Sequence, residues 1–139
     1  MTTIYAIGYS TTGRAKNGRC DTMFMTCVKV ENEEKSWKIP LLDATMNQAA
    51  LLAIKFGLLA SKNAMNKIQI ITDNQYVAHA LELVDGKWKF NPESNKELVE
   101  EVRKMLLGVK FSITSNAKDQ RVASMKSEVK GLAKMRIVF

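Results

Sequence analysis

No aspartate or glutamate precedes Asp21, and the chain holds a single histidine, His79. The first strand-like segment therefore brings no carboxylate to any site. Cys20 and Cys27, the only cysteines, lack C-x-x-C spacing and a neighbouring histidine, which argues against zinc and leaves two free thiols as the expectation. No apolar run reaches the roughly 18 residues of a membrane span, and the opening MTTIYAIGYSTTG has no basic start followed by a long apolar stretch. The expectation is a soluble, cytoplasmic protein with no membrane partner. Internal repeats, low-complexity tracts and long linkers are also missing.

What is present fits one domain over residues 1–139, whose 46% hydrophobic and 25% charged content can close a core without staples. Lysine and arginine number 21 against 14 acids, and the resulting net charge of +7 favours a polyanionic partner through counterion release.

Residues 3–10 and 21–30 read as strands separated by the basic, turn-rich loop 13–19, GRAKNGR. A polar turn at 31–35 leads into 36–41, so three consecutive antiparallel strands are expected. Residues 47–61 are apolar on nearly every side, interrupted mainly by Lys55 and Gly57, as in a helix covered by a sheet and its neighbours. Residues 67–72 form a short β-branched strand suited to a buried parallel position, after which a helix carries Tyr76, Ala80 and Leu83. Leu98, Val102, Met105 and Leu106 recur at helical spacing within 95–107, ended by Gly108, and 109–114 reads as the last central strand. A terminal helix sets Val122, Met125, Val129 and Leu132 on one face and Lys126, Lys130 and Lys134 on another, read as solvated. Thr45 with Gln48 and Ser94 with Glu97 have the spacing of capping boxes. The alternation after an antiparallel start indicates an α/β domain with a mixed sheet.

The most informative stretch is 68–81, IQIITDNQYVAHAL, where an apolar strand runs into Asp73 and then into a helix. Asp73 has two readings. It could cap the helix, which requires no partner, or contact a metal, which requires further acids.

Thr72, Asp73, Asn74, Gln75, Tyr76 and Val77 resemble the T-D-S-Q-Y-V strand end of the ribonuclease H family, whose Asp helps hold two Mg2+ ions. Residues 44–53 look like that family's T-N-N-x-x-E-L helix opening, with Ala50 where the catalytic Glu would stand. Ala6, Ile7, Gly8 and Tyr9 are similar to its first-strand T-D-G-S, with Ile7 in place of the ligand. Asp119, Gln120, Arg121, Val122 and Ala123 resemble its N-E-R-x-D, with Ala123 or its neighbour Ser124 replacing the last Asp. The likeness covers nearly the whole chain in the right order. It implies a ribonuclease H-like fold: a five-stranded mixed sheet, three antiparallel strands then parallel ones, flanked by helices.

Two-metal hydrolysis needs a close pair of hard cations held by oxygen ligands, and one remaining Asp offers little affinity for one ion and almost none for two. The resemblance therefore implies a catalytically inactive member with no metal site or cofactor and weak or absent Mg2+ binding. Asp21, Glu31 and Asp43 are the acids that could substitute, but the expected topology sets none beside Asp73. Candidate contacts to nucleic acid, RNA or RNA/DNA hybrid, are Asn47, Asn74 and Gln75 near the old cleft, and Arg14 and Lys16 in the basic loop. Lys87, Trp88 and Lys89 resemble a shortened basic protrusion, although Trp88 and Phe90 could equally anchor a loop on the core. The competing functions are a protein-interaction module of viral or mobile-element type docking on a protein partner, and a weak metal-dependent ribonuclease.

Overall fold

The computed structural model describes residues 1–10, 20–61 and 67–137. Its main sheet is built from β1 (Thr2–Ser10), β2 (Cys20–Val30), β3 (Glu33–Ala44), β4 (Lys67–Thr72) and β7 (Lys110–Ser115), in the order β3-β2-β1-β4-β7. β1 and β3 each pair antiparallel with β2, and β4 runs parallel to both β1 and β7. This is the five-stranded mixed sheet anticipated from the sequence. β7, however, lies at an edge, and its side chains alternate between half-buried and exposed. The short strands β5 (Leu83–Val84) and β6 (Lys87–Trp88) form a separate hairpin.

Strand alternation divides the core into two layers. Ile4 and Ala6 of β1 face a cluster containing residues of α1 (Met46–Ala60), α2 (Gln75–Ala80) and α3 (Lys96–Leu106). Ile7 faces the other way, with Met23, Met25, Cys27 and Ile71, against Val122, Met125 and Val129 of α4 (Gln120–Ile137). The apolar spacing that foretold the α4 stripe is thus the spacing it buries. Among the described residues no helix is long and apolar enough to cross a membrane.

Several local expectations change. β3 is longer than the anticipated 36–41, because the connection from β2 needs only Glu31, at φ 55, and Asn32; residues 33–35 pair with 28–30, with Glu33 and Lys35 exposed and Glu34 partnered by Arg121. α2 stops at Ala80, and Leu83 belongs to β5, since the chain must reverse at Asp85 and Gly86, both at positive φ, to close the hairpin. The Thr45–Gln48 capping box forms as read. The Ser94–Glu97 box does not, because Asn95, left-handed at φ 57, occupies the N-cap of α3 without a side-chain bond. Ser94 is engaged elsewhere: Tyr76 Oη donates to its carbonyl at 2.6 Å and lies 3.1 Å from its hydroxyl.

α1 approaches β1 closely through two glycines. A Cβ on Gly8 would sit 2.6 Å from the Met46 carbonyl oxygen and 2.8 Å from Ala49 Cβ and Ala50 N; one on Gly57 would sit 2.6 Å from Ile4 Cγ2. At Gly8 the obstacles are mostly backbone, so the helix itself would have to retreat. Gly8→Ala is expected to lower stability by about 1–3 kcal/mol, the usual range for an overpacked core. A urea unfolding midpoint unchanged from wild type would show that α1 is not held at this distance.

Candidate functional site

The site lies where β1 and β4 end beside the N-termini of α1 and α2 and the flank of α4. The last β1–β4 pair is Ala6 with Thr72, so the next residues are Ile7, still within β1, and Asp73, one residue past the end of β4. Ile7 is 1% exposed and belongs to the α4-side core, while Ala50 is fully buried against Gly8. Ala123 is exposed on α4, one turn before Lys126. Ser124 turns instead toward a hollow of about 540 Å3 that it lines with Tyr5, Asp119, Gln120 and Arg121.

Asp73 does not cap α2. Asn74 does, its Oδ1 accepting from Val77 N at 3.0 Å, because the helix starts one residue later than the sequence suggested. The Asp73 carboxylate is instead paired with Lys126, whose Nζ lies 3.3 Å from Oδ2. Only 10% of the Asp73 side chain is exposed, against 42% for Lys126. The lysine stripe of α4 is therefore not simply solvated: Lys126 reaches inward, Lys130 is exposed, and the side chain of Lys134 lies outside the described residues.

Among the described residues no group of three or more His, Cys, Asp or Glu is placed so that it could hold a metal ion. Segments 11–19 and 62–66 contain none of these residue types. Asp43 N approaches Asp21 Oδ1 at 3.5 Å where β2 begins and β3 ends, and Glu31 stands in the turn at the opposite end of those strands.

Asn47 and Asn74 are brought together, Asn74 Nδ2 donating to Asn47 Oδ1 at 2.8 Å, so the start of α1 is tied to the start of α2. Gln75, the first residue of α2, is exposed beside them. Lys87, Trp88 and Lys89 form a separate group beyond the C-terminal end of α2. Trp88 packs on the core, 6.4 Å from Phe111 between ring centroids, and the Arg103 guanidinium lies 4.7 Å over its ring. The anchoring reading thus describes Trp88. Lys89 lies 3.7 Å from Glu82, and Lys87 is exposed. Arg14 and Lys16 lie outside the described residues.

Two features escaped the sequence reading. Arg103 is buried and donates to Ala80 O at 2.8 and 3.0 Å and to Phe90 O at 2.6 Å, clamping the end of α2 and the hairpin to α3. Its place among Val99, Val102 and Leu106 on the buried face was the available signal. The other is a cluster under α4, where Arg121 pairs with Glu34 and the Cys27 thiol donates to Glu34 Oε1 at 3.0 Å. Burial, helped by that hydrogen bond, pushes the Cys27 thiol up to about 11. Burial, then the negative charge of Asp119, raises the Tyr5 phenol as well. Asp119, not Asp73, is the acid that caps a helix here, accepting from Arg121 N and Val122 N at 2.9 and 3.1 Å.

No protein-family model matches this sequence, and no curated protein matches it. Solved structures do. The N-terminal RNase H domain of Rv2228c from Mycobacterium tuberculosis, solved as a fusion with maltose binding protein, aligns over 98% of this chain and 97% of that one, with TM-score 0.72 and 15% identity. LC11-RNase H1 in complex with RNA/DNA hybrid aligns over 96% of this chain and 99% of its own, with TM-score 0.66 and 13% identity. RNase H1 from the halophilic archaeon Halobacterium salinarum aligns over 81% and 83% of the two chains, with TM-score 0.62 and 20% identity. Strand order, helix placement and these alignments define a ribonuclease H-like fold.

Two outcomes follow from the clamp and the cluster. Arg103→Met leaves the Ala80 and Phe90 carbonyls unpaired and is expected to cost about 2–3 kcal/mol in urea unfolding; a loss below about 0.5 kcal/mol would mean the clamp is dispensable. Because the folded Cys27 thiol titrates above its ordinary 9.0, its contribution to stability is full below pH 9 and fades as pH rises through about 11. In a Cys20→Ser background, Cys27 should react with a disulfide reagent at pH 8 at least about tenfold more slowly when folded than in urea. Equal rates would contradict this burial.

Proposed function

We propose that this protein binds nucleic acid, RNA or RNA/DNA hybrid, on a ribonuclease H-like surface without cleaving it. The observation that supports this reading most is the fate of the one retained carboxylate. Asp73 stands at the end of β4 as a metal ligand would, yet it is neutralised by the chain's own Lys126. Ile7, Ala50 and Ala123, where the resemblance calls for acids, supply no side-chain oxygen. A pair of cations held by one carboxylate that already has a counterion would lack the ligand charge that offsets their mutual repulsion. The net charge of +7 and the exposed Gln75 and Lys87 are consistent with contact to a polyanion.

Incubation with an RNA/DNA hybrid in Mg2+ or Mn2+ should give no product above that of Asp73→Ala protein. Gel shifts with hybrid, duplex RNA and single strands should show binding that weakens steadily with salt. Cleavage abolished by Asp73→Ala, or no shift for any of these nucleic acids at about 50 mM salt, would refute the reading.

A further inference from the structure

Among the charged groups near the cleft, Lys126 is the one whose position the lost catalytic pattern does not account for. Asp73 is nine-tenths covered, and a carboxylate at that depth is costly unless a cation compensates it. In this chain the cation is a side chain from α4. An ammonium has three donors, of which the Asp73 contact at 3.3 Å uses one, and 42% of the Lys126 side chain still meets solvent. Among the described residues, Ile7 and Ala50 are buried, Ala123 lies one turn earlier on α4 without a charge, the Asn47 and Asn74 amides bond to each other, and Glu128, two residues further along α4, is already paired with Lys38. Lys130, exposed one turn further along α4, continues the positive line outward. A cluster of carboxylates without metal would repel a phosphate. Here the Asp73 carboxylate is balanced, and among the described residues the outer donors of its partner are charged groups that a phosphate could meet.

We propose that Lys126 stands in for the missing cations and holds a backbone phosphodiester directly, so that nucleic acid engages this cleft without any divalent ion. The proposal rests on the nucleic-acid reading above and deepens it. Asp73 is then a positioning residue: it orients the ammonium and competes with the phosphate for it.

The test is fluorescence anisotropy with a labelled RNA/DNA hybrid over a salt series, in EDTA and in Mg2+, for wild type, Lys126→Ala, Lys126→Arg, Asp73→Asn and the double variant Asp73→Asn/Lys126→Ala. Wild type should bind equally with and without the divalent ion. Lys126→Ala should weaken binding about five- to tenfold and reduce the slope of log affinity against log salt by about 0.9, the share of one phosphate contact. Lys126→Arg should keep the slope. Asp73→Asn should tighten binding when Lys126 is present and by clearly less in the Lys126→Ala background, a coupling that the general gain of one positive charge would not produce. The double variant leaves no orphaned charge and should lose the same slope as Lys126→Ala, which separates phosphate contact from misfolding. If wild type binds but Lys126→Ala and the double variant match it in affinity and slope, this inference fails and the proposed function stands. Binding that requires Mg2+ also overturns it. If wild type does not bind, both fail.

Discussion

The close approach of α1 to β1 is the constraint on which the remaining architecture depends. Gly8 and Gly57 let the helix lie where any Cβ would collide with the Met46 carbonyl, Ala49 or Ile4, and Ala49, Ala50 and Ala53 keep the contact thin. At that distance Thr26 Oγ1 can donate to the Ala53 carbonyl at 2.6 Å, a bond from sheet to helix inside the core. The same approach fixes the N-terminus of α1 beside the ends of β1 and β4. There Asn74 Nδ2 donates to Asn47 Oδ1 and ties the starts of α1 and α2 together.

From that frame the electrostatics follow. β4 delivers Asp73 to a nearly closed position, where isolation would be costly, and the neighbouring strand offers Ile7 rather than a second acid. Compensation comes across the sheet from α4, whose buried stripe of Val122, Met125 and Val129 sets the helix rotation and so the reach of Lys126. The ion pair is thus a consequence of apolar packing as much as of charge. On the opposite layer Arg103 performs a comparable task with three backbone bonds, holding the β5–β6 hairpin and the end of α2 against α3. A second basic side chain, Arg121, is also spent internally, against Glu34. Several of the positive charges that raise the net charge therefore serve the protein's own acids and carbonyls, and overall charge overstates what faces a partner.

Much was legible from the residues alone. Strand-like runs bounded by turns, the all-round apolar run of α1 and the helical spacings of α3 and α4 marked the five sheet strands and the three longer helices, and the strand-to-helix passage at Asp73 drew attention to that end of the sheet. The Thr45–Gln48 cap and the buried α4 stripe are local patterns, set by side chains a few residues apart, so sequence spacing suffices to find them. Local patterning failed where two chemically similar residues competed for one role. Asp73 and the adjacent Asn74 could each cap α2, and only the exact strand length chose Asn74. Ser94 had the spacing of a cap but was claimed by Tyr76 from α2.

The residues at the positions the resemblance singles out were determined by the sequence itself: one acid, Asp73, with Ile7, Ala50 and Ala123 or Ser124 where the resemblance called for others. What only the tertiary structure decided was the partner of that acid. Lys126 is more than fifty residues away along the chain, on a face that helical periodicity alone reads as solvated. Periodicity reports which side of a helix is apolar, but the depth at which a long lysine stem meets a buried carboxylate depends on how two elements pack, and that is absent from any local window.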